Sequence, residues 1–527
     1  MNENDINLSV KVVPWCPTQS TINAATRALF EHPLIQERLK GTRHRLLSFQ
    51  SVDPEDKTSL PVVSQLYRAT IYDYTHNRTL LVDGRLDQPE LLEVTESSLQ
   101  PLPSDEEFEA ATEILLNDPE FGSALCERRL LPYRPIPPLI ETELADGRIE
   151  RTLAIGLFAP NEETRHRIVG VNMVRETVLR EVRGVALPSG DVCGVPFGEG
   201  CPQTGNSGQV RVTVIQGSTV LWTFTAVRPA ASSGTNGSGI ELRYVNYRGK
   251  RVLYRAHVPI LNVEYFQDGI SAGCGPTYRD WQNSEACFQA VGTDIIPGFR
   301  LCSSPAQTIL DSGTDAGNFR GVAIYVQGQE VVLVSEMQAG WYRYISEWRL
   351  HADGTIRPRF GFSAVNNPCT CKVHHHHAYW RLDFDIRTAG NNVVEEFNDP
   401  PLFAGTNWHK KTYEIRRLRD SARHRKWRIR NTVTGEGYEL IPGVNDGAAS
   451  SYGVGDVWIL RYHGSEIDDG QGFTTDPIKS KANLDKFLTG EVVEDRDVVI
   501  WYAGHFLHDA SHAGGHIVGP ELKPFNW

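Results

Sequence analysis

From Val210 onward the chain consists almost wholly of short alternating apolar runs. They include Val210–Ile215, Val252–Val258, Val322–Val326, Val331–Ser335, Tyr344–Leu350, Trp380–Asp385 and Val498–Tyr502. A period of two sends successive side chains to opposite faces of a strand. Turns such as Ala352-Asp-Gly-Thr355 separate the runs, and helical periodicity is nearly absent. Strands of this kind bury their apolar faces against one another, so the expected fold is mainly β, with a large antiparallel sandwich at its C-terminal end. The 46 glycines and 30 prolines suit the many turns this requires.

Two smaller units precede the sandwich. The first opens with an amphipathic helix from Ser20, apolar at Ile22, Ala25, Leu29 and Phe30, followed by strands over Arg45–Gln50, Leu66–Tyr74 and Thr79–Asp83. The second starts at the cap signal Ser104-Asp-Glu-Glu-Phe108 and runs helically to Asn117, with strands at Arg151–Phe158 and Arg165–Val174. These read as two small α+β domains of similar order. The expected boundaries are 1–98 and 99–185 for the pair, a Gly/Pro/Ser-rich linker over 186–209, and the sandwich over 210–527.

The length of 527 residues suits several domains. A formal charge of −12 argues against nucleic acid or an anionic membrane as partner. The basic stretch Arg416–Asn431 alternates around Trp427 and Ile429 and reads as an exposed hairpin strand. The N-terminus shows no basic segment followed by an apolar one, and no apolar run approaches about 18 residues. Nine scattered cysteines read as free thiols or metal ligands, so the expected location is cytoplasmic.

The stretch CTCKVHHHHAYW, Cys369 to Trp380, carries four consecutive histidines. On a strand, His374 and His376 share one face and His375 and His377 the other. Two imidazoles spaced this way can share one ion, with a third ligand from His505, His508, His512 or His516. Three imidazoles with open positions suit copper or a catalytic zinc. Cys369 and Cys371 offer a rival mixed cysteine–histidine site.

His374-His-His376 followed by Arg381-Leu-Asp383 resembles the His-x-His motif and following strand of the copper- and topaquinone-containing amine oxidases. The resemblance covers most of the chain and implies that family's two small N-terminal domains and its β-super-sandwich, which forms a homodimer. It selects His508, seven residues after Trp501, as the third copper ligand. Tyr265 resembles the tyrosine that hydrogen-bonds the quinone. Asp383, Asp385 and Asp497 resemble the carboxylates of a peripheral calcium-type site, for which oxygen ligands are suited. Tyr342, in Trp341-Tyr-Arg-Tyr344, stands where the topaquinone precursor belongs.

The pattern also departs from the family. Trp341 stands for an asparagine and Arg343 for an acid. Trp281-Gln-Asn283 resembles the motif preceding the catalytic aspartate, and by that count the aspartate's place is taken by Ala286. Glu285 is adjacent but faces the other way on a strand, and Ser284 replaces a bulky gate residue. The family's cysteine pair finds no counterpart in the spacing of Cys287 and Cys302. The implied activity is copper-dependent oxidation of a primary amine by O2 to aldehyde, ammonia and hydrogen peroxide. Two alternatives stand beside it: a quinone-free copper oxidase or oxygenase acting on a different small molecule, and a non-catalytic copper-binding relic or interaction protein.

Overall fold

Two large sheets pack face to face across one apolar core. A computed structural model describes residues 7–52, 57, 62–98, 100–136, 138–140, 142–143, 149–159, 166–180, 190–198, 200–201, 208–403, 405–509 and 516–527. Among these, one sheet has ten strands and the other twelve, and the pairing is almost entirely antiparallel. The chain is mainly β, as the alternating runs require.

The ten-stranded sheet is centred on three neighbouring strands, Lys250–Tyr265, His374–Phe384 and Val498–His508. Across the core lie Glu330–Ala339, Tyr342–His351 and Ile356–Ala364 of the other sheet. The sheets interlock through side chains such as Trp348, whose indole donates to the carbonyl of Ile240 at 3.0 Å. On the histidine strand, even-numbered Ala378, Trp380, Leu382 and Phe384 join this core. Odd-numbered Tyr379 joins a separate apolar cluster on the opposite face, with Trp458 and Trp501. A period of two thus gives this strand two buried faces.

The N-terminal segments follow the expected order. A helix spans Gln19–Glu31 and is capped by Thr18. A four-stranded sheet follows, comprising His44–Val52, Leu66–Asp73, Arg78–Arg85 and Leu92–Ser97. The helix expected after Ser104 spans Asp105–Leu116, is capped by the Ser104 side chain and ends at Asn117, beside another four-stranded sheet that contains Thr152–Phe158 and His166–Asn172. Leu8–Pro14 pairs instead with Gln209–Gln216, at the margin of the ten-stranded sheet. The basic stretch holds the strand Lys426–Asn431, with Trp427 and Ile429 buried and Arg428 and Arg430 paired with Glu395.

The expectation of free thiols is overturned. Disulfides join Cys193 to Cys371, Cys201 to Cys287 and Cys274 to Cys369, leaving Cys16, Cys126 and Cys302 free. Such bonds persist in oxidising surroundings. An odd number of scattered cysteines misled because the linker brings Cys193 and Cys201 back onto the sandwich. No described helix is long and apolar enough to cross a membrane.

Candidate active site

The site forms where the ends of three strands align. Tyr265 lies opposite His374, and His374 opposite His508; one step along, Val263, His376 and Phe506 form the next inward row. His374 and His376 are fully buried, and His508 nearly so. The ring of His374 lies 4.8 Å from that of His376 and 4.7 Å from that of His508, centroid to centroid. Phe362 of the opposite sheet packs against His376 at 4.2 Å and His508 at 4.9 Å.

Neighbouring groups fix the tautomers. Nδ1 of His374 lies 2.6 Å from the carbonyl oxygen of Lys372, which can only accept, so the hydrogen is on Nδ1. Burial holds the His374 pKa well below its ordinary value, so the ring is neutral and Nε2 keeps a lone pair. The Tyr342 hydroxyl donates to that nitrogen at 3.0 Å and in turn accepts a hydrogen bond from Tyr265. Tyr344 donates to Oδ2 of Asp280, so Nδ1 of His376, 3.3 Å from the Tyr344 oxygen, donates to it. His376 therefore also presents Nε2. Two buried imidazoles with their outer nitrogens committed fit a transition-metal site.

The tyrosines reach these histidines from a tight hairpin. Ala339 pairs with Tyr342 across Gly340-Trp341, and Gly340 takes the positive φ of +58° that the turn needs. Trp341 therefore occupies the turn, while Tyr342 and Tyr344 share the inward face. Arg343 points the other way and is held by Asp315 at 2.6 and 3.0 Å. The arginine that stands for an acid is turned away from the histidines.

Asp280 is the residue that sequence reasoning missed. It is 1% exposed, its Oδ1 has no hydrogen-bond partner, and burial pushes its pKa up to about 7 against the partly offsetting Tyr344 hydrogen bond. It follows the short strand Thr277–Arg279, which pairs with the Tyr265 strand and delivers Asp280 beneath Tyr344. Its only signal was a carboxylate directly ahead of Trp281-Gln-Asn283. Ala286 lies elsewhere, its amide donating to the Glu336 carbonyl at 2.8 Å. Glu285 is buried in an ion pair with Arg228, whose Nε lies 2.8 Å away. Asn283, Ser284 and Ala286 line a groove that neither Tyr342 nor Asp280 reaches.

Comparison with solved structures identifies the scaffold. A copper-containing benzylamine oxidase from Hansenula polymorpha superposes with a TM-score of 0.61 at 13% identity, covering 97% of this chain and 98% of that one. The fold is that of the copper amine oxidases. Pichia pastoris lysyl oxidase (TM-score 0.57, 11% identity, 98% and 90% coverage) and an Aspergillus nidulans amine oxidase (0.55, 13%, 97% and 88%) agree. No family model and no curated sequence matches the chain.

Three further expectations are answered within this amine-oxidase fold. Asp383, Asp385 and Asp497 do converge, and the cation between them is Nζ of Lys57, at 2.6, 3.0 and 2.8 Å. That ammonium also lies 3.6 Å from the centre of the Tyr462 ring. The three carboxylates could hold a metal ion, but Lys57 already occupies their centre as a cation. The mixed cysteine–histidine site does not form, since Cys369 and Cys371 are both disulfide-bonded. Among the rival third ligands, His505 faces outward against His377. His512 lies outside the described residues, and the backbone of His516 pairs opposite Phe362.

Proposed function

We propose that this chain is a copper-dependent oxidoreductase that converts a primary amine, O2 and water to aldehyde, ammonia and hydrogen peroxide. The observation that carries the reading is the Tyr342 hydroxyl, buried between Tyr265 and Nε2 of His374 at 3.0 Å. His374, His376 and His508 would hold copper, which supplies redox exchange with O2, and Tyr342 as topaquinone would supply the electrophilic carbonyl. The lone pair of His374 that accepts from Tyr342 is the one a metal would use, so metal and phenol meet at a single atom.

The remaining roles belong to the chain's own residues. Tyr265 holds the Tyr342 oxygen in place through its hydrogen bond. Asp280 is the proton acceptor: Oδ2 is committed to Tyr344, while Oδ1 is free to take a proton from the substrate's α-carbon. A carboxyl titrating at about 7 is matched to that task near neutral pH. Ala286 then marks no lost base, because the carboxylate comes from six positions earlier.

The test is aerobic incubation of copper-loaded protein with aliphatic and aromatic primary amines, with peroxide and aldehyde measured together. Equimolar release, abolished by Tyr342→Phe, is expected. Peroxide from none of the amines, with copper bound, would contradict the reading and favour the quinone-free alternative.

A further inference from the structure

The outward face of the histidine strand carries a second cluster that the copper site leaves unused. Glu264 lies directly opposite His375 on one neighbouring strand, and His505 opposite His377 on the other. Ligand atoms of Glu264, His375 and His377 lie within 4.8 Å of one another.

The hydrogen bonds behind the cluster determine where its protons sit. Nε2 of His505 lies 3.0 Å from the carbonyl oxygen of Gly455 and 3.2 Å from a carboxylate oxygen of Asp456. Both are acceptors, so this nitrogen carries hydrogen. With the hydrogen of the neutral ring on Nε2, Nδ1 of His505 is an acceptor. That atom is 2.7 Å from Nδ1 of His377, so His377 donates to it and keeps a lone pair on Nε2. His377 is fully buried and its Nε2 has no hydrogen-bond partner; the buried Nδ1 of His375 has none either. A metal-ligating histidine usually donates its other ring N–H to a fixed partner; here His377 donates to His505, which donates on to Asp456.

The surroundings fit closely around the two imidazoles. At Gly453, a Cβ would come within 2.8 Å of the His505 ring and 2.9 Å of Nδ1 of His377, so glycine there makes room for the pair. Tyr452 packs on His377 at 5.3 Å and Phe266 on His375 at 5.2 Å. Lys481 lies over the Tyr452 ring at 5.6 Å and donates to the Ser451 carbonyl at 3.2 Å.

We propose that Glu264, His375 and His377 form a second metal site for a zinc-class divalent ion, with His505 and Asp456 as positioning residues for His377. Two imidazoles and one carboxylate are a zinc donor set. The site lies back to back with the inward histidines and joins the Tyr265 strand to the ligand strand. It stands independently of the copper reading.

Zinc alone is the probe, titrated into metal-free full-length protein with the metal counted per chain. The parent should bind two zinc ions, one per face. Glu264→Gln and His375→Ala should each remove one, weakening that site about a hundredfold or more, and His508→Ala should remove the other. Glu264 is half-exposed, so its glutamine variant should keep the fold. Zinc X-ray absorption on His508→Ala should then show two imidazole ligands. Uptake unchanged by Glu264→Gln and His375→Ala overturns the proposal, whatever His508→Ala does. Uptake unchanged by His508→Ala alone counts against the inward site only.

Discussion

The Tyr342 hydroxyl lies 3.0 Å from Nε2 of His374, although the two residues come from opposite sheets. Both are fully buried, so the contact exists only when the sandwich is closed. The phenol and the proposed metal ligands should separate cleanly by mutation. Tyr342→Phe is expected to keep stoichiometric copper and lose amine oxidation. His508→Ala is expected to lose both, as metal analysis and peroxide release would show.

Asp280 makes both stability and the proposed reaction depend on pH. Its folded pKa is raised from the ordinary 3.8 to about 7, so between those values the native state holds a proton that the unfolded chain has released. Stability of the metal-free protein should therefore fall as pH rises through that window. Asp280→Asn should remove this slope and melt higher than the parent above pH 7. Activity needs the carboxylate, so in the parent it should rise as pH passes upward through about 7. In Asp280→Asn it should drop by about 10²–10⁴-fold. Melting curves and rate profiles across this range check both statements.

Lys57 closes a cage of three carboxylates with its own ammonium. Lys57→Ala leaves those charges buried without their partner, a loss of about 3–5 kcal/mol. Millimolar calcium should recover part of the lost melting temperature in the variant and leave the parent unmoved. Calcium stabilising the parent equally would contradict the assignment.

The disulfide from Cys274 to Cys369 ties the segment after Tyr265 to the turn just before His374. It closes a loop of 95 residues, so Cys274→Ser with Cys369→Ser should cost about 2–5 kcal/mol. The variant should also release copper more readily. Thiol titration of the unfolded, unreduced protein should count the three free cysteines, and after reduction all nine.

Many strands, the two longest helices and the two faces of the histidine run were legible because a period of two or 3.6 is a local property. Alternation alone placed His374 and His376 apart from His375 and His377. What escaped was set by distant pairing. Asp280 reaches Tyr344 through the register of a three-residue strand. Lys57 reaches Asp383 from 326 positions away. The disulfides depend on where the linker lies. Counting along a motif put the base at Ala286, but a count cannot show which carboxylate the fold turns toward the tyrosines.

Tyr342, beside the proposed copper ligands His374, His376 and His508, is expected to become the reactive carbonyl. The most direct measurement is the visible spectrum of aerobically copper-loaded protein before and after phenylhydrazine, with the labelled peptide identified by mass spectrometry. A quinone band that shifts to a hydrazone is expected, with the adduct on Tyr342 and neither band nor adduct in Tyr342→Phe. Weak copper d–d bands alone, with Tyr342 recovered unmodified, would contradict it.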